Sequence, residues 1–299
     1  MSLLPAALRD AIDLAPRAIE GGLLAGAACG AAGVVLRWRR LVWAGFAVPE
    51  AATAGTSFAL GNDTLLPALG VSGALPSWLG WEPMWVFLAT ALAVLWLVPV
   101  ARPARKGGER AASACFLLAT TLTVLLVSLS PHGTEEVRAL STGKTLLFLA
   151  EDDVRTLAWT MPPLAALSAL FAGPLPSLAF DRDHAQAAGR PVARLEAGFA
   201  AGFLALVALL APRVGAPFVF AYLTLPAAAA ERLVARPVPT VLAATVLGAL
   251  GFLVGATAAV AWDLPFSTAA IAGSLAVSGL VVALRTLALG RLYVVRRAR

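Results

Sequence analysis

Phe180 to Arg194 reads FDRDHAQAAGRPVAR, a short charged segment set between two long apolar stretches. Leu178-Ala179 lead into it, and Ala188-Gly189-Arg190-Pro191 close it. A compact polar helix ended by a glycine, kept between lipid-compatible stretches, suits contact with something soluble. The plainer alternative is a solvated connector. Both readings require membrane spans on either side, and the rest of the sequence supplies them.

Hydrophobic residues make up 60% of the 299 and charged residues only 13%. A soluble domain averages nearer 25% charged. Such a chain cannot cover a water-facing surface, so it reads as an all-α polytopic membrane protein. Arg outnumbers Lys 21 to 2, a composition cue to a GC-rich bacterial gene and hence to a bacterial cytoplasmic (inner) membrane. Cys29 and Cys115 both lie inside apolar runs and read as small packing residues, not as a disulfide or metal pair. Met1 to Glu20 carries Arg9, Asp10, Asp13, Arg17 and Glu20 without a clean apolar centre. It reads as an interfacial amphipathic segment rather than a cleavable signal peptide.

Stretches near 20 residues with few charges fall at 21–36, 46–66, 84–101, 111–131, 157–179, 195–212, 217–231, 240–262 and 266–284, which predicts eight or nine spans. The connecting loops then alternate sides. One set, closed by the basic tail 285–299, holds 17 of the 23 basic residues; the other keeps Arg9, Arg17, Arg138, Lys144, Arg155 and Arg213. The positive-inside rule places the first set, including 180–194, in the cytoplasm. The net charge of +6 therefore needs no nucleic-acid partner. Trp78, Trp81, Trp85 and Trp262 fall at the outer ends as an aromatic belt would. The long outer loop from His132 to Thr156 is acidic, with an apolar piece, Thr145 to Ala150, expected to form a half-helix at that face.

Three motifs are packing or chance. Ser141-Thr142-Gly143-Lys144-Thr145 resembles the end of a phosphate-binding loop, but the glycine required five residues before Gly143 is Arg138. The chain is therefore not its own ATPase, and it binds no cofactor of its own. Gly22-x-x-x-Gly26-x-x-x-Gly30 and Gly251-x-x-x-Gly255 let helices approach closely. His132 and His184 are the only histidines, so no His-based catalytic or tetrahedral zinc cluster can be built, and the chain does not read as an enzyme.

Prolines are expected to break the second, fifth and seventh spans: Pro49, then Pro162-Pro163 with Pro174 and Pro176, then Pro217 and Pro226. Broken spans are tolerated where they line a cavity. Glu50, beside Pro49, is the sharpest single residue. An intramembrane carboxylate costs roughly 2.5–3.5 kcal/mol to insert and is normally functional. The competing reading puts Glu50 near the interface, neutralised by Arg39 or Arg40.

Several stretches resemble one family. Val214-Gly215-Ala216-Pro217-Phe218-Val219 through Tyr222 to Ala230 is similar to the "VGALLV…LLIIPAATA" span of the metal-uptake ABC transporter permeases of zinc, manganese and iron type. Trp262-Asp263-Leu264-Pro265-Phe266-Ser267-Thr268-Ala269 resembles their "LDLPSGA" turn, and Ala235-Arg236-Pro237 their short basic cytoplasmic turn. Phe180-Asp181 to Val192 resembles "SFDPELAKALGVPV", the coupling loop. Leu146 to Leu149 with Asp153-Val154 is a weaker echo of "YLFGxIL…DV", and Arg39 to Gly45 of "RRMALLG". The likeness runs from about residue 20 to 285, most specific from 180 onward.

The resemblance implies a single permease domain over 1–299, a homodimer with a second copy of the chain, and an extracytoplasmic substrate-binding protein. It also implies a separate cytoplasmic ATPase that carries the ATP and docks on Phe180, Asp181, Asp183, Ala188 and Gly189. It puts Glu50, Thr53, Pro226 and Asp263 on the metal or translocation path. One departure stands out. Where the family has "GDALSHAxxxG", this chain has Phe46 for the aspartate, Pro49 for the serine and Glu50 for the histidine. Carboxylate oxygen in place of imidazole suits a harder ion than zinc, or a metal chelate. The rival from another class is a stand-alone ion-coupled secondary transporter with Glu50 as its coupling carboxylate.

Overall fold

A computed structural model describes residues 9, 12–68, 82–100, 108–128, 144–173, 185–186 and 189–297. Its ten helices are α1 (Pro16–Trp38), α2 (Ala44–Ala68), α3 (Glu82–Val100), α4 (Gly108–Ser128), α5 (Lys144–Leu147), α6 (Glu151–Phe171), α7 (Val192–Val214), α8 (Ala216–Leu233), α9 (Pro237–Ala261) and α10 (Phe266–Arg297). Each expected stretch overlaps one of them within the described residues. Among the described residues, five helices are long and apolar enough to cross a membrane: α1, α4, α7, α9 and residues Phe266–Ala288 of α10. The chain is thus multi-pass. α6 is less apolar, with Glu151, Asp152 and Asp153 in its first turn and Arg155, Pro162 and Pro163 beyond it.

α1 is the central post. Its span is 78% buried, against 33–44% for the other four, and it packs on α6, α7, α8 and α9. Glycines make this possible. A Cβ at Gly30 would strike the Ala244 carbonyl of α9, one at Gly33 the Leu223 carbonyl of α8, and one at Gly22 the Phe252 ring. Gly251, Gly255 and Gly273 bring α9 against α10 in the same way. Without water between apolar helices, such close van der Waals approach is what holds them together. Tyr222, wholly buried, adds a hydroxyl donated to the Ala270 carbonyl at 2.8 Å.

The ion pairs between helices sort to two ends. Arg37–Glu231 (2.9 Å) and Arg39–Glu196 (3.0 Å) join residues expected inside. Arg213–Asp153 (2.8 Å) and Arg17–Glu151 (3.6 Å) join residues expected outside. Each pair fits the alternation of spans.

α1 begins at Pro16 and so takes in residues 16–20 of the expected interfacial segment, and α10 continues through the expected basic tail to Arg297. Two expectations need correction. The apolar piece of the outer loop forms only one helical turn, α5, because the Ala150 N–H is captured by the Asp153 carboxylate (3.3 Å) that starts α6. The helices are not broken at proline: α2 runs through Pro49, α6 through Pro162 and Pro163, and α8 through Pro226, while Pro217 sits in the first turn of α8 where its missing N–H leaves no gap. Pro174, Pro176, Trp78 and Trp81 lie outside the described residues.

Candidate functional site

Glu50 stands six residues into α2, roughly 9 Å along the helix from Ala44. It is half-buried, and its Oε1 accepts a hydrogen bond from the Thr120 hydroxyl of α4 at 3.1 Å. Among the described residues no basic side chain pairs with it. Arg39, the expected neutraliser, is engaged with Glu196, and Arg40 is exposed. Carboxylates within membrane spans are rare, and they usually face a partner or a cavity.

Aromatic rings surround the start of this face. Phe46, one turn before Glu50, stacks on Phe116 of α4 with centroids 4.0 Å apart and meets Phe220 of α8 edge-on at 5.3 Å. Residues four apart share a helix face, so α2 presents Phe46 and Glu50 together and α4 presents Phe116 and Thr120 together. The two helices run in the same direction through the alternating spans. The result is an aromatic layer toward the end where α2 begins and a polar layer beyond it.

The expected path residues are only partly gathered. Thr53 is buried beside Glu50 and donates to the Glu50 backbone carbonyl at 2.7 Å, so its hydroxyl is already used. Pro226 is buried within α8. Asp263 lies at the far end, exposed in the turn after α9, a helix of 25 residues that starts next to the Arg37–Glu231 end. Its backbone is left-handed (φ 50), and Leu264 N–H bonds back to the Ala259 carbonyl at 3.0 Å, so Asp263 closes a helix there. Among the described residues no group of three or more His, Cys, Asp or Glu could hold a metal ion.

The charged segment after α6 is seen at its second half. Gly189 N–H bonds to the Gln186 carbonyl at 3.0 Å and Arg190 N–H to the Ala185 carbonyl at 3.1 Å, with Gly189 at φ 74. This is the paired pattern that ends a helix on a left-handed glycine. Ala185 and Val192 are buried against Val35 of α1, with Phe171 and Phe199 alongside. The segment is thus seated directly on the central helix, while Gln186 and Gly189 face outward. Phe180, Asp181, Asp183 and Ala188 lie outside the described residues.

Sequence reasoning missed Phe116, Thr120 and Phe220, which are distant in the chain and carry no local signal. It also missed Arg40, which takes φ 56 to end α1 with the same pair of bonds, Arg40 N–H to Arg37 (2.9 Å) and Leu41 N–H to Leu36 (2.9 Å).

Comparison with known proteins gives the family and the fold. The profile of the ABC 3 transport family matches residues 11–286. The fold is similar to that of PsaBC from Streptococcus pneumoniae in complex with Fab, with TM-score 0.72 and 18% identity over 92% of this chain and 94% of that one. It is also similar to a proposed metal-chelate type ABC transporter in an inward-facing conformation, with TM-score 0.66 and 17% identity over 94% of this chain and 91% of that one. No curated protein matches the sequence significantly.

Proposed function

The chain belongs to the ABC 3 transport family, and we propose that, as the permease subunit of an ABC importer, it carries a divalent metal ion or a metal chelate across a bacterial inner membrane. The observation that carries the cargo reading is Glu50: a half-buried carboxylate in the second expected span, held by the Thr120 hydroxyl and paired with no basic side chain among the described residues. Its oxygens suit manganese or iron better than zinc. The two structural neighbours, a PsaBC complex and a proposed metal-chelate type transporter, support the architecture.

ATP is bound and turned over on a separate cytoplasmic subunit. That subunit docks on the segment closed by Gly189, together with Phe180, Asp181, Asp183 and Ala188. Ala185 and Val192 rest on Val35, so a push on this segment bears on α1. α1 meets α8 and α9 through glycine contacts that transmit displacement rather than absorb it. Two copies of the chain enclose the path, with Glu50 and Thr53 toward it and Pro226 shaping α8. An extracytoplasmic binding protein delivers cargo near the Asp263 turn.

The test is co-expression with a candidate ABC ATPase and purification through a tag on this chain alone. A stable complex with ATP turnover above that of the free ATPase is expected. Failure of every encoded ABC ATPase to associate, with uptake intact, would transfer the case to the ion-coupled carrier.

A further inference from the structure

The Glu50 face combines one carboxylate with three phenyl rings, and this chemistry does not match a naked divalent ion. A hard cation stripped of water needs about six oxygen ligands, and zinc needs four donors. Here the described residues offer one carboxylate and the Thr120 hydroxyl. No cluster of three ligating side chains exists among them, and a phenyl ring offers no lone pair. A second copy of the chain across a two-fold axis would add only one more carboxylate and hydroxyl from the same site.

Phe46, by contrast, is 37% exposed although it lies in an aromatic cluster. Its Cβ and that of Glu50 are about 6 Å apart on one helix face, so a cation at the carboxylate can lie against the ring. Ring faces attract cations that shed little water, quaternary ammonium groups above all. We infer that the site lined by Glu50, Thr120, Phe46, Phe116 and Phe220 takes a weakly hydrated cation with an apolar rim, either a metal ion that keeps its organic ligands or an organic cation. This inference rests on the reading that the Glu50 face lines the path, and it narrows the cargo from "ion or chelate" to a cation that arrives already clothed. Glu50 supplies the counter-charge, Thr120 holds the carboxylate in place, and the three rings cover the apolar rim.

The full chain in lipid nanodiscs is titrated with four probes: tetraethylammonium chloride, zinc premixed with an equivalent of bipyridine, free zinc chloride and free manganese chloride. Thermal unfolding gives the dissociation constant, since a ligand that binds only the folded state raises the midpoint with concentration. Tetraethylammonium or zinc–bipyridine should bind, at least tenfold more weakly in Glu50→Gln and about threefold more weakly in Phe46→Leu. Which of the two binds identifies an organic cation or a metal complex. Free zinc and manganese should give no shift that Glu50→Gln removes. The inference is overturned if a free metal salt binds more tightly than both clothed cations in a Glu50-dependent way, if neither clothed cation binds, or if binding survives Glu50→Gln. The comparison among probes on the unaltered chain decides even if a variant fails to fold. None of these outcomes bears on association with an ATPase, so failure here is distinct from failure of the transport reading.

Discussion

Replacing Gly189 with alanine isolates the docking segment from the membrane core. Gly189 sits at φ 74, and a Cβ built there meets no atom within 4 Å. Any loss on substitution is therefore backbone strain and not a clash. A left-handed conformation costs a residue with a Cβ about 1–2 kcal/mol. Relaxing that strain breaks the bonds from Gly189 to Gln186 (3.0 Å) and from Arg190 to Ala185 (3.1 Å), which hold the end of the segment in shape. One to two kcal/mol corresponds to a factor of about 5–30 in population.

Gly189→Ala should lower the affinity of the ATPase subunit for the nanodisc-embedded chain by a factor in that range. Gly189→Asn should lose less, because asparagine tolerates this conformation. The unfolding midpoint of the membrane bundle should stay unchanged in both, since a Cβ at Gly189 would meet no atom of it within 4 Å. The assay is equilibrium binding of the labelled ATPase, followed by ATP turnover of the complex. Wild-type affinity in Gly189→Ala would refute the reasoning. So would an asparagine variant as weak as the alanine one.

At Gly33, alanine would push a Cβ onto the Leu223 carbonyl, and overpacking of this kind destabilises by about 1–3 kcal/mol. Alanine at Gly173, where no atom lies within 4 Å, should leave the thermal midpoint unchanged. Asp153 both pairs with Arg213 at 2.8 Å and caps α6 through Ala150. Asp153→Ala should cost about 1–2 kcal/mol in thermal unfolding, while Asp152→Ala, whose exposed pair with Arg155 spans 3.9 Å, should stay within about 0.5 kcal/mol. Single cysteines at Gln186 and Asp152, on a background without Cys29 and Cys115, should react with an impermeant thiol reagent in intact cells only at position 152. Labelling at 186 alone would invert the topology.

The helices were legible in the sequence because lipid leaves few options: an apolar stretch near 20 residues must satisfy its backbone internally, and the helix does so. The glycine contacts were legible for the same reason, since Gly22, Gly26 and Gly30 share one face. Gly189 announced its cap, glycine being the residue that takes a left-handed backbone without strain. Arg40 and Asp263 did not, since either identity fits many surface positions. The prolines misled in the opposite sense. Neighbouring helices support α2, α6 and α8, so a missing N–H does not interrupt them.

The site around Glu50 was half legible. A carboxylate in a span is conspicuous, and Phe46 follows from helical spacing. Phe116, Thr120 and Phe220 meet it only because α4 and α8 pack beside α2, and nothing local in either helix marks them. The departure at Phe46 and Glu50 gains its meaning from that meeting: the aromatic side chain does not merely remove a ligand but joins two other rings.

Uptake by proteoliposomes holding this chain with its ATPase measures the central claim directly. ATP supplied to the ATPase side should drive accumulation of the cargo, a collapsed proton gradient should make no difference, and Glu50→Gln should depress uptake strongly while the complex still assembles. Accumulation that follows a pH gradient and persists without ATP would contradict the account and identify a carrier that works alone.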